Sequence, residues 1–328
     1  MDSAGPQRLS LVADIGGTNA RFALLLPDQM RPIEMRSLEV SEFTSLNEAI
    51  RAYCEHISLS GKELPSQACL AIAGPTGQDR LGITNNGWCF SQSELQRDLG
   101  FEQLKVINDF TAQAFALPLL DADELVPVGA GAAVNGDPMA VLGPGTGLGI
   151  GGLVFAGSRP VPLFSEGGHV DFAPADEQEM EVLRYLWQCY DHVSTERLLC
   201  GAGLSNLYQA LCAIHGSDCL PLSPAEITQA ALTDSAPLCR ESLEIFCAML
   251  GSVAGNTALT LGARGGVYIA GGIIPRILDL FLSSRFRSRF EAKGRFSDYL
   301  AAIPTQVVVA EHPGLLGAAN ALRQPPLS

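Results

Sequence analysis

Two glycine–threonine turns, together with Asp109, Glu166, His169 and Glu196, are the parts of this 328-residue chain whose residue types could do chemistry. The richer turn lies within 139–155, MAVLGPGTGLGIGGLVF, where Gly143-Pro144-Gly145-Thr146-Gly147 separates two apolar runs. Glycine at every second position lets main-chain N–H groups face one concavity, which suits phosphate oxygens, and Thr146 adds a hydroxyl. A plain glycine-rich hairpin shares this pattern. The chain carries the device twice, however. In LSLVADIGGTNARFALLL, residues 9–26, an apolar strand, a turn containing Gly17-Thr18 and a second apolar strand follow one another again. Laying Gly17-Thr18 on Gly145-Thr146 also aligns the flanking strands. The repeat predicts two related lobes whose hairpin turns grip a nucleotide.

Two commoner phosphate-binding devices do not apply. No G-x-x-x-x-G-K-[ST] occurs, and although Gly147, Gly149 and Gly152 satisfy G-x-G-x-x-G, the LVFAGSRPVPLF that follows reads as strand where a helix start is required. The carboxylates each admit two readings. Asp109 sits between an expected strand, 104–107, and an expected helix, 110–117. There it is either a helix N-cap or a carboxylate reaching over the ends of parallel strands. Glu166 and His169 stand three residues apart across Gly167-Gly168, unsupported as a metal pair but suited to a polyol's hydroxyls. Glu196 opens a short expected helix, 196–199, where the helix dipole favours it. Asn85-Asn86-Gly87-Trp88 reads as a turn or as a substrate-side loop. A third strand, 267–270, runs into Gly271-Gly272, where a purine and ribose could lie against backbone.

The elements that must position these groups follow from periodicity and punctuation. Helical spacing covers 44–58, 91–99, 177–190, 204–215, 224–232, 238–261 and 314–322, with a buried strand at 68–72 and another at 124–128. The crossing between lobes is expected near Pro118, with the last helix returning to the first lobe. Composition is that of a globular protein, 47% hydrophobic and 17% charged. The net charge of −14 argues against an extended nucleic-acid or anionic-membrane surface, since phosphate backbones need a basic stripe. Nine cysteines without a C-x-x-C pair, an odd number, point to reduced thiols. No leader and no apolar run of membrane-spanning length is read in the chain, so a soluble cytoplasmic protein is expected.

The ordered set LVADIGGTNARFALL, TNNGWCFS, INDFTAQAFALP, GPGTGLGIGGL, SEGGHVDFAP, ERLLCGAGLSNLYQAL and GGVYIAGGI resembles the bacterial glucokinase family of hexokinase-type ATP:glucose phosphotransferases. The likeness runs from Leu11 to the C-terminal helix. It implies an α/β fold of two RNase H-like lobes, as in actin and hexokinase, with a cleft that closes on glucose. The lobes are expected at 1–118 plus 312–328 and at 119–311. It implies a phosphate loop of Ala13, Asp14, Ile15, Gly16, Gly17 and Thr18, a second of Gly145, Thr146 and Gly147, and Gly271 and Gly272 at the adenosine. Asn108, Asp109, Glu166, His169 and Glu196 fall on the family's glucose positions, joined by Asn85 from the loop above, with Asp109 on the catalytic base. The related ROK family carries a cysteine-rich zinc motif after Glu-x-Gly-His; Cys200, Cys212 and Cys219 are too widely spaced for it, so no structural zinc is expected.

The resemblance further implies ATP and Mg²⁺ as cofactors, Mg²⁺ bridged by water to Asp14, and a homodimer. A kinase for another hexose or amino sugar shares these features. A sugar-sensing regulator would need a helix-turn-helix and basic charge, and a chaperone-like ATPase would lack the hexose carboxylates.

Overall fold

The computed structural model describes residues 9–59, 65–84, 86–218 and 220–324. The chain divides into two units, Met1–Leu120 with Ala310–Ser328, and Asp121–Val309. In the first, the apolar runs flanking Gly17-Thr18 become β1 (Ser10–Ile15) and β2 (Asn19–Leu25), paired antiparallel from Ile15↔Ala20 outward. β3 (Ile33–Glu39) continues the meander, while β4 (Gln67–Ile72) lies parallel to β1. A short hairpin of β5 (Arg80–Gly82) and β6 (Cys89–Ser91) precedes β7 (Gln103–Asn108), which lies parallel to β4. The sheet order is β3-β2-β1-β4-β7.

Helix α1 (Leu46–Leu59) turns Leu46, Ala49, Ile50, Tyr53 and Ile57 inward, the one-face spacing of an amphipathic helix. Its Tyr53 ring stacks on Phe22 of β2, centroids 5.5 Å apart. Helix α2 (Gln92–Leu99) starts on the Ser91 cap and stops at Gly100 in the left-handed region. Helix α3 (Asp109–Ala116) packs against the C-terminal helix Pro313–Arg323, whose buried Asn320 Nδ2 donates to Phe115 O at 2.8 Å.

The second unit opens with β8 (Leu125–Pro127), then β9 (Met139–Pro144), β10 (Leu148–Ala156) and β11 (Arg159–Leu163) as an antiparallel meander. Helices α4 (Glu177–Leu186), α5 (Gly201–Ile214), α6 (Pro224–Leu232) and α7 (Pro237–Leu261) follow. Strands β12 (Gly266–Ile269) and β13 (Thr305–Val308) return parallel to β9, giving the order β11-β10-β9-β12-β13-β8. Two antiparallel pairings followed by two parallel ones, in the same order, recur in both sheets. The expected duplication is therefore present, with β8 added antiparallel at one edge of the second sheet.

Four expectations need correction. The strands run further into the second turn than the glycines suggested: Gly143 pairs with Gly149 and Pro144 with Leu148, leaving only Gly145–Gly147 as the bend. Glu196 belongs to a single 3-10 turn, Thr195–Arg197, because Leu198 and Leu199 are drawn fully into the core before α5 begins. By length and composition α7 does qualify as a membrane span, contrary to the reading of the sequence; 72% of its apolar window is buried in the core of the unit. Cys212 is disulfide-bonded, whereas Cys54, Cys69, Cys89, Cys189, Cys200, Cys239 and Cys247 are free thiols. An odd count forbids complete pairing but not one pair.

Candidate active site

In the first unit the carboxyl ends of the parallel strands β1, β4 and β7 bring the expected groups together. Asp14 is paired in register with Ala71 and Arg21, and Asn108 with Ile72. Asn108, not Asp109, caps α3: its Oδ1 accepts from Phe110 N at 2.9 Å and Thr111 N at 3.2 Å, while its Nδ2 donates to Gly74 O at 3.3 Å. Asp109 is thus the first helical residue. Its Oδ1 shares the Phe110 N–H at 2.9 Å. Burial pushes the Asp109 carboxyl up to about 6, opposed by that amide and assisted by the negative charge of Asp14.

Asp14 is itself raised above the ordinary carboxylate range, chiefly by burial, with Arg21 and His312 pulling the other way. The Arg21 guanidinium lies 3.7 Å from its Oδ2. The start of the C-terminal helix comes so close that a Cβ on Gly314 would stand 2.8 Å from Asp14 Cγ. Gly16 N donates across its bend to Asn19 O at 2.9 Å, while the Gly17 and Thr18 N–H groups make no hydrogen bond among the described residues.

In the second unit the bend closes on itself through Gly145 N→Gly147 O at 2.8 Å, leaving the Thr146 and Gly147 N–H groups without partners among the described residues. Glu196 comes to this bend: its Oε2 accepts from Leu148 N at 2.8 Å and its Oε1 lies 3.9 Å from His169 Nδ1. His169 ends the 3-10 turn Gly167–His169, which Glu166 precedes, and both side chains are exposed. Gly271 and Gly272 follow β12, and Ile273 N reaches back to Pro144 O at 3.3 Å, joining that bend to the end of β9. Asn85 lies outside the described residues.

Several groups at these places carried too weak a signal in the sequence to be singled out. Asn86 Nδ2 donates to Gly16 O at 3.0 Å, so the loop that carries Asn85 braces the first turn through the neighbouring asparagine. Arg21, His312 and Gly314 surround Asp14, and only the fold brings the last two there. Thr195 is buried and donates from Oγ1 to Gly168 O at 2.7 Å. Among the described residues no group of three or more His, Cys, Asp or Glu is placed to hold a metal.

Two sheets of matching order, each sending a hairpin bend and the ends of parallel strands toward polar side chains, define the RNase H-like class of actin and hexokinase phosphotransferases. The sequence model of the glucokinase family matches residues 11–325. Among similar proteins, a glucokinase of Hahella chejuensis is 47% identical over 314 residues, 96% of this chain and 97% of that one. A glucokinase of Neisseria meningitidis serogroup C / serotype 2a is 50% identical over 313 residues, 95% and 94% of the two chains. The crystal structure of a glucokinase from an Antarctic psychrotroph superposes with a TM-score of 0.88 at 40% identity, covering 96% of this chain and 98% of that one. The chain belongs to the glucokinase family.

Proposed function

We propose that the chain works as a glucokinase through the residues just described. It is an ATP-dependent hexose kinase: the γ-phosphoryl group of ATP passes to the 6-hydroxyl of glucose, giving glucose 6-phosphate and ADP. Asp109 takes the hydroxyl proton as the oxygen attacks phosphorus. The observation that carries this reading is that Asn108 does the capping, while burial lifts Asp109 to about 6, nearer the range a base needs at neutral pH. A carboxylate is still a weak base toward an alcohol, so the proton moves late, once bond formation has made the hydroxyl acidic.

The N–H groups of Gly17, Thr18, Thr146 and Gly147, with the two threonine hydroxyls, hold phosphate oxygens, and Gly271 and Gly272 lie at the adenosine. Asp14 would hold Mg²⁺. Its half-buried carboxylate, only partly compensated by Arg21 and His312, fits a divalent cation that keeps most of its ligands from water and phosphate. When bound, the ion neutralises phosphate charge. Asn108, Glu166, His169 and Glu196 orient the hexose, with Asn85 assigned by sequence alone. A cytoplasmic location and a homodimer complete the reading; the second is checked by sedimentation equilibrium. The test of the function is ATP-coupled turnover with Mg²⁺ across glucose, mannose, fructose and N-acetylglucosamine. Glucose is expected to give the highest kcat/KM, and a higher value for another sugar would move the assignment to that substrate.

A further inference from the structure

Glu196 reaches two parts of the second unit at once. Its Oε2 accepts the N–H of Leu148, the first residue beyond the Gly145–Gly147 bend, while its Oε1 faces His169. The approach depends on a missing side chain: a Cβ on Gly147 would stand 2.5 Å from Glu196 Oε2. Neighbouring bonds reinforce the junction. Gly201 N, just beyond the Glu196 turn, donates to Gly145 O at 2.9 Å, and buried Thr195 holds Gly168 O in the turn that ends at His169. One carboxylate, 31% exposed, thus links the bend read as phosphate-binding to the turn read as sugar-binding.

We propose that Glu196 is the positioning residue that couples sugar binding to nucleotide binding. A sugar hydroxyl engaging Oε1 fixes the carboxylate; the fixed Oε2 holds the Leu148 amide, and with it the bend, in the form that receives phosphate. Ordering this junction costs conformational entropy once, so the second ligand binds a bend already set. Linkage makes the effect reciprocal. The inference rests on the sugar and phosphate assignments made above.

The experiment measures the Kd of a non-transferable ATP analogue with Mg²⁺, with and without saturating glucose, in the wild-type chain, E196A and G147A. The two substitutions attack the same contact from opposite sides, and the ratio of the two Kd values cancels whatever each does to nucleotide affinity alone. The wild type is expected to gain about fivefold or more from glucose, and both variants to show a ratio near one. A ratio near one in the wild type, or the wild-type ratio kept in either variant, overturns the coupling while leaving the separate assignments standing. A wild-type chain that binds no glucose overturns the sugar assignment, and the coupling with it.

Discussion

At Asp109 the same burial that suits a base makes ionisation costly to the fold. Its folded pKa of about 6 lies above the ordinary 3.8. The associated stability is therefore fully present below pH 3.8 and is lost as pH rises through about 6. In the metal-free protein D109N is expected to be more stable than wild type at pH 7.5, by up to about 3 kcal/mol, with no gain at pH 3.5. Thermal melts at the two pH values check the sign. Glu166 and His169 tell the opposite story, since both are exposed. E166Q is expected to leave Tm unchanged and to raise the glucose Kd about tenfold, the worth of a hydrogen bond to a charged group. Glucose titration by calorimetry measures it, and an unchanged Kd would remove Glu166 from the sugar site.

At the scale of elements, Asn108 sets both a helix and the carboxylate beside it. N108A removes the cap of α3 and is expected to lower the unfolding free energy by about 1 kcal/mol, read from the urea midpoint. Turnover should fall by more than that loss explains, because Asp109 sits on the first turn of the same helix and loses the cap that fixes that turn. Here the sequence was legible to different depths. Strand–turn–strand units at 9–26 and 139–155 announce themselves through apolar runs broken by glycine, and the two sheets repeat them. Which residue of Asn108-Asp109 caps the helix does not show, since either type serves and one step in register decides. The link from Glu196 to Leu148 spans 48 residues and is made by a main-chain N–H, which carries no residue-specific signal. The approach of Gly314 to Asp14 is equally silent, because a helix N-terminus beginning Pro-Gly announces the helix and not its neighbour.

At the scale of the whole molecule, the proposed groups are divided between the two like units: Asp14, Asn108 and Asp109 belong to the first, and Thr146, Glu166, His169 and Glu196 to the second. A ligand that binds only the folded chain stabilises all of it by mass action. Glucose at a hundred times its Kd is expected to add about 2.7 kcal/mol, seen as a rise in Tm, and a flat melt across that range would mean that no hexose binds. The account depends most on Asp109 as the proton acceptor. Its direct test is the steady-state turnover of D109N with ATP, Mg²⁺ and glucose, measured beside its glucose affinity. The account predicts turnover about a hundredfold below wild type or less with glucose affinity kept; turnover close to wild type would contradict it.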